Sequence, residues 1–333
     1  ETSRACNWAL YDYERETNPG LSGIGGLTAF SHVLTESNTT HKSVPMLLSP
    51  VSASSFDSIY YQKGIITAFK EAGYQTAFFS NQRYNHSFID FFGKEADTYD
   101  FIKEDVGDSN YNPSDDKLLK LVAKELGKGV SRQFIVLHTY GSHFNYKERY
   151  PAEQAFFLPD MPVDAEVKYK DNLINAYDNS IRYTDNFLVR LIDMLQKQHV
   201  NSALIYTSDH GEDIFDDNRH LFLHASPVPS YYQIHVPFFI WMSDNYRQRY
   251  PSLLEAAQAN RQKNVSSSAS FFQTMLEIGG VETPYRNDSL SVTSALFIER
   301  PRVYLNDHNE ARTLDDVGML KEDFKMLEEK GIR

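Results

Sequence analysis

The chain has 333 residues, 41% hydrophobic and 14% aromatic, enough for one large α/β domain with an ample core. Its 45 acidic residues outweigh 33 basic ones, for a formal net charge of −12; a nucleic-acid partner, which needs a basic face, is therefore not expected. A single cysteine, Cys6, excludes an intrachain disulfide and a thiolate zinc cluster, and no apolar run is long enough to span a bilayer.

Residues 1–26 are polar and Gly-rich, with Asn18-Pro19-Gly20 and Gly23-Ile24-Gly25-Gly26 marking loop. A short strand is predicted over 29–34, then small polar residues over 35–40. A helix follows at Ser43-Val44-Pro45, with Pro in its first turn. An amphipathic helix over 64–72 stops at Gly73 and leads to a buried strand, Gln75 to Ser80. Residues 84–114 read as irregular. A helix over 115–127 and a strand over 133–137 come next. The longest helix is predicted over 164–198, where Leu173, Ala176, Tyr177, Ile181, Leu188, Leu191 and Leu195 keep a 3.6-residue period. Strands at 203–206 and 237–241, helices at 251–262 and 268–278, a strand at 302–305 and a surface helix within 314–330 complete the chain. Alternating strands and helices predict a three-layer α/β/α sandwich around a mostly parallel sheet, one domain over 1–333. Sites in such sheets lie beyond the carboxyl ends of the strands.

Three residues after the strand ending at Tyr206 begins the run Asp209, His210 and Gly211. A carboxylate and an imidazole at a strand's mouth, with a glycine turning the backbone away, is a common way to hold a metal; the competing reading is a cap and a core histidine. Thr40 precedes a helix start, where free N–H groups and the helix dipole favour a phosphate. His138, His143 and His224 each follow a strand closely. His220 competes with His224. Asp178 reads as a polar group orienting the core, and Asp216 and Asp217 as a solvated turn.

Several stretches come in one order: Glu1-Thr2-Ser3-Arg4, Asn38 to Pro45, Ser80-Asn81-Gln82, His138 to His143, Asn175 to Asn179, Asp209 to Glu212, and Leu223-His224. That order resembles the catalytic domain of the phosphoethanolamine transferases of Gram-negative bacteria, which belong to the alkaline phosphatase and sulfatase superfamily and include colistin-resistance enzymes. The resemblance implies an alkaline-phosphatase-like fold and a zinc ion held by Glu1, Thr40, Asp209 and His210, with room for a second. It implies Thr40 as nucleophile, His143 and His224 as catalytic partners, and Asn81, His138, His143 and His224 as substrate contacts. The donor would be phosphatidylethanolamine and the acceptor an envelope glycolipid or glycan such as lipid A. The site would face the periplasm at the inner membrane. Because the chain opens on Glu1, it reads as a piece of a longer protein whose membrane domain lies upstream. Members of the resembled family commonly brace the threonine loop with a disulfide, so here packing has to do it.

Other readings stay open. Ser43-Val44-Pro45-Met46-Leu47 has the proline but not the arginine of a formylglycine motif, which argues against sulfate-ester hydrolysis. A phosphoglycerol transferase using manganese, a phosphodiesterase, and an inert zinc-holding binding domain are the alternatives.

Overall fold

Side-chain alternation along two buried strands sets up the layers. In the strand Gln75–Ser80, Ala77 and Phe79 enter one apolar cluster while Phe78 enters another. In Phe238–Met242, Phe239 and Trp241 join the first of these clusters, and Phe238, Ile240 and Met242 a third. Every residue of Phe238–Met242 is buried, as a central strand requires.

The structure, a computed structural model, describes residues 1–103 and 112–332. In chain order the strands and helices begin with β1 (Leu27–Phe30), β2 (Val33–Leu34), α1 (Thr40–Leu48), α2 (Ile65–Glu71), β3 (Gln75–Ser80) and α3 (Phe88–Gly93). They continue with β4 (Thr98–Phe101), α4 (Asp116–Leu126), β5 (Gln133–His138), α5 (Lys170–Gln196), β6 (Ala203–Thr207), β7 (Asp213–Ile214) and β8 (Phe222–Leu223). Then come α6 (Tyr231–Ile234), β9 (Phe238–Met242), α7 (Asp244–Arg249), α8 (Pro251–Asn260), β10 (Val265–Ser266) and α9 (Ser267–Ile278). Last are β11 (Val303–Leu305), β12 (Ala311–Thr313) and α10 (Lys321–Glu329).

β3 lies between β4 and β5 in a parallel sheet, with Phe78 opposite Tyr99 and Val136. β9 lies between β1 and β6 and runs antiparallel to both, with Ile240 opposite Thr28 and Ile205. Helices α4 and α5 cover the face of Ala77, Phe79 and Trp241, while α1, α2, α3 and α9 cover the face of Phe78. This is the expected α/β/α layering. The expectation of mostly parallel strands holds for β3–β5. β9 departs from it, running antiparallel to both β1 and β6. Between β5 and β6 lies an apolar cavity of about 420 Å³ lined by Phe134, Val136, Leu188, Ile205 and Phe271. It reaches Glu1, His138 and Asp209, so the polar groups sit at its rim.

Several boundaries differ from the sequence reading. The strand predicted over 29–34 is two strands separated at Ser31-His32. α1 begins at Thr40, which moves Pro45 inside the helix. α5 begins at Lys170, after a short turn of 3₁₀ helix at Val167–Tyr169. The region read as irregular holds α3 and β4, both too short to show a period; residues 104–111 of it lie outside the described residues. The C-terminal helix is shorter than expected and not simply superficial. Asp323 and Leu327 are buried, and Asp323 takes two hydrogen bonds from Arg219 (2.7 and 2.8 Å) and one from the Tyr231 N–H (2.9 Å).

Candidate active site

The carboxyl ends of β3, β5 and β6 and the start of α1 bring the polar groups together. Thr40 is the first residue of α1, following Thr39, so its N–H is one of those an α-helix leaves without an internal partner. Its Oγ1 lies 3.0 Å from Nε2 of His210. The His210 Nδ1–H donates to the Gly211 carbonyl at 2.9 Å, which leaves the Nε2 lone pair facing Thr40. Burial brings His210 down to about 4, so the ring is neutral.

Asp209 lies alongside, its Oδ2 3.3 Å from His210 Nε2 and its Oδ1 accepting the Thr2 N–H at 3.2 Å. Asp209 Oδ2 is buried and receives no hydrogen bond. Gly211 is needed for close approach: a Cβ there would lie 2.2 Å from the Tyr232 carbonyl oxygen.

Glu1 reaches the same place by a chain of buried bonds. The Ser3 N–H donates to Ser208 Oγ (2.8 Å) and the Arg4 N–H to Tyr177 Oη (2.9 Å), whose hydroxyl donates to the Thr2 carbonyl at 2.6 Å. The Ser142 N–H donates to the Glu1 carbonyl at 3.1 Å. Gly141, at φ +58°, makes this possible, because a Cβ would lie 2.8 Å from the Glu1 nitrogen. The Glu1 carboxylate accepts from the Gln82 amide. Burial and the Asp209 charge push Glu1 up to about 7. Burial works against the Asp209 charge too, but the adjacent His210 holds this carboxyl well below the usual range. Two carboxylates thus share a buried site in which one of them is held near neutral.

That strain fits a dication. Among the described residues no three His, Cys, Asp or Glu side chains converge closely enough to hold a metal by themselves. The gathered set is mixed instead: the orphaned Asp209 oxygen, the free His210 lone pair, the Thr40 hydroxyl and the Glu1 carboxylate. Two carboxylates, one imidazole and one hydroxyl suit zinc.

Two further histidines face this group with opposite character. The His224 ring lies 4.3 Å from that of His210 and 6.0 Å from that of His143. Burial opposes a charge on His224, but the Glu212 carboxylate, 3.5 Å from its Nδ1, outweighs this and raises it. His143 donates Nδ1–H to the Phe144 carbonyl at 2.6 Å, and burial brings it down to about 4. His143 is therefore neutral, with its lone pair on Nε2.

A family model described as Sulfatase matches residues 1–281. The chain belongs to the sulfatase family. It is 30% identical over 306 residues to phosphoethanolamine transferase EptA of Salmonella typhimurium, an alignment covering 86% of this chain and 53% of that protein. The chain thus spans about half the length of the curated relatives it matches. The C-terminal periplasmic domain of EptC from Escherichia coli, in complex with Zn, superposes with a TM-score of 0.85 at 24% identity, over 96% of this chain and 91% of that one. The integral membrane lipooligosaccharide phosphoethanolamine transferase A of Neisseria meningitidis gives 0.78 at 25% identity, over 88% of this chain and 55% of that one. An alkaline-phosphatase-like α/β fold is established, and no helix among the described residues is long and apolar enough to cross a membrane.

Within this sulfatase-family site the remaining sequence expectations fall as follows. Asn81 is fully buried, and its amide nitrogen donates to the Pro113 carbonyl (2.9 Å) and Asp115 (2.7 Å), which braces the loop after β3; its Oδ1 has no partner among the described residues. His138 is half-buried, its Nδ1 3.2 Å from Ser80 Oγ and its buried Nε2 without a partner among the described residues. His220 is exposed in a turn and is not part of the cluster. Asp178 takes bonds from Asn7 and Tyr13 and an ion pair from Arg15, which makes it the orienting core group expected. Asp216 corrects the reading of a solvated turn: it pairs at 2.6 Å with Arg4, a side chain only 3% exposed. Asp217 pairs with Arg219. The threonine loop is pinned without a disulfide, by Thr35 to the Asp209 carbonyl (2.7 Å), Ser43 to the Ser37 carbonyl (2.9 Å) and Asn38 to the Ser226 carbonyl (2.9 Å). Sequence reasoning gave no role to Gln82, Glu212 or the Tyr177 hydroxyl. Tyr177 in particular counted only as a core position, and nothing in a helical period marks its hydroxyl.

Proposed function

We propose that this chain is the catalytic domain of a zinc-dependent phosphoethanolamine transferase. It would move phosphoethanolamine from phosphatidylethanolamine to a hydroxyl or phosphate of an envelope acceptor such as lipid A or the lipopolysaccharide core, at the periplasmic face of the inner membrane. The carrying observation is Thr40: a hydroxyl at a helix start, 3.0 Å from an imidazole lone pair, beside two carboxylates that burial forces to share one site. Similarity to the named transferases supports the group transferred.

Held by Glu1, Thr40, Asp209 and His210, zinc would supply charge that lowers the pKa of the Thr40 hydroxyl and stabilises charge on the phosphoryl oxygens. Thr40 Oγ1 then attacks phosphorus, the bond to the diacylglycerol oxygen breaks, and phosphoethanolamine remains on Thr40. His224, whose charged form Glu212 favours, donates from Nε2 to the departing oxygen. His143 suits the second half-reaction: its neutral Nε2 takes the proton of the incoming acceptor hydroxyl, whose oxygen displaces Thr40 from phosphorus. The free N–H groups at the start of α1 favour the phosphate being transferred.

Intact-mass measurement of the zinc-loaded domain with a soluble phosphatidylethanolamine analogue tests this. A phosphoethanolamine-sized adduct on Thr40 is expected, absent from Thr40→Ala. Diester turnover without acceptor points to a phosphodiesterase. Neither adduct nor turnover, with zinc bound, sinks the reading.

A further inference from the structure

A second group of cations adjoins the reaction centre and takes no part in the chemistry above. Lys103 follows β4, and Tyr140 and Arg149 both lie in the connection after β5, so two connections at one end of the parallel sheet meet here. The Lys103 ammonium is 3.2 Å from the centroid of the Tyr140 ring, and the Arg149 guanidinium carbon 4.1 Å from it. Lys103 is 6% exposed and Arg149 7%. Arg149 is anchored to the Asn145 carbonyl (3.2 Å) and to Glu148 (3.1 Å). Among the described residues, the Lys103 ammonium has no hydrogen-bond acceptor and no carboxylate partner. The nearby Asp115 is spent on the Tyr140 and Gly141 N–H groups and on Asn81.

Two like charges gathered on one ring, one of them without a carboxylate partner among the described residues, are costly unless an anion joins them. Burial and the Arg149 charge bring Lys103 down to about 8, against the pull of the Glu1 and Asp115 carboxylates. The place is also contiguous with the centre, since the His143 ring stacks on Tyr140 at 4.9 Å. We propose that Lys103, Arg149 and Tyr140 form a second anion subsite, separate from Thr40, that holds a phosphate group of the acceptor beside His143. The inference rests on the transferase reading, in which Thr40 already takes the phosphate of the donor; a second phosphate must then come from the other substrate. A guanidinium and an ammonium suit such a group, one by paired hydrogen bonds and one as a point charge.

Calorimetric titration of inorganic phosphate into zinc-loaded Thr40→Ala, with and without Lys103→Met or Lys103→Arg, reads the subsite directly. Lys103→Met is expected to weaken phosphate by about tenfold or more, and Lys103→Arg to stay within about threefold of the parent. Equal affinity in all three proteins overturns the proposal. Lys103→Gln serves in place of Lys103→Met should the latter not fold. In the complete reaction, two acceptors differing only in one phosphomonoester separate the sources of phosphate. The wild type should show a lower KM for the phosphorylated acceptor, and Lys103→Met should erase that difference. A preference that survives in Lys103→Met, or an effect confined to the KM for the donor, overturns the assignment. Failure to form any Thr40 adduct would instead remove the transferase reading and leave the phosphate titration to judge the subsite.

Discussion

Thr40→Ala removes one oxygen and leaves α1 able to start where it does, since Thr39 and not Thr40 occupies the cap position. Transfer should fall by on the order of a thousandfold or more, as loss of a nucleophile does, while Thr40→Ser retains measurable turnover. A Thr40→Ala protein with near-wild-type kcat would show that another group carries the phosphoryl intermediate. Glu36 makes a separate prediction about stability. It is 2% exposed, accepts the Ala53 N–H at 2.7 Å, and burial pushes it up from 4.5 to about 7. A carboxyl raised in the folded state contributes stability that is full below its unfolded pKa and is lost as pH rises through about 7. Glu36→Gln should therefore flatten the fall in Tm between about pH 5 and pH 8, an effect of at most on the order of 3 kcal/mol. An unchanged pH profile would show that Glu36 ionises as freely as in the unfolded chain.

At the scale of elements, the Tyr177 hydroxyl of α5 holds the first turn after Glu1, at Thr2 and Arg4. Tyr177→Phe keeps the ring but strands the Arg4 N–H and the Thr2 carbonyl in the interior. The expected cost is about 2 kcal/mol in denaturant unfolding, with weaker zinc binding because Glu1 is less well placed. Unchanged zinc affinity would mean that Glu1 is positioned by Ser142 and Gln82 alone. The junction of α10 with the body rests on Asp323, which is 1% exposed and accepts from Arg219, Tyr231 and Leu320. Removing one partner of a buried pair strands the other, so Asp323→Ala should cost about 3 kcal/mol and resist compensation by added salt. A loss below about half a kcal/mol would place this junction with ordinary surface pairs.

At the scale of the whole molecule, the site joins segments far apart in sequence: residue 1, the start of α1, and the ends of β3, β5 and β6. A ligand that binds only when they are assembled stabilises the assembly. Zinc at about a hundred times its Kd should add about 2.7 kcal/mol and raise Tm, and Asp209→Ala should abolish most of that rise. A zinc-induced rise that survives Asp209→Ala would put the metal elsewhere. The sequence by itself determined the layer architecture, because alternation in Gln75–Ser80 and the helical period from Leu173 to Leu195 are local patterns that burial enforces at each residue. It also determined the residue types of the site, since Asp209, His210, Thr40 and Glu1 stand in a recognisable order. Only the tertiary structure decided which of them meet and in what state. It buried Asn81 fully and left His220 in an exposed turn. It turned Asp216 from a loop residue into the partner of a buried arginine. It set His143 and His224 to opposite protonation preferences through Phe144 and Glu212. The reason is physical: propensity and periodicity are properties of neighbours along the chain. Burial, pairing and pKa belong to neighbours in space, here 207 positions apart between Thr2 and Asp209.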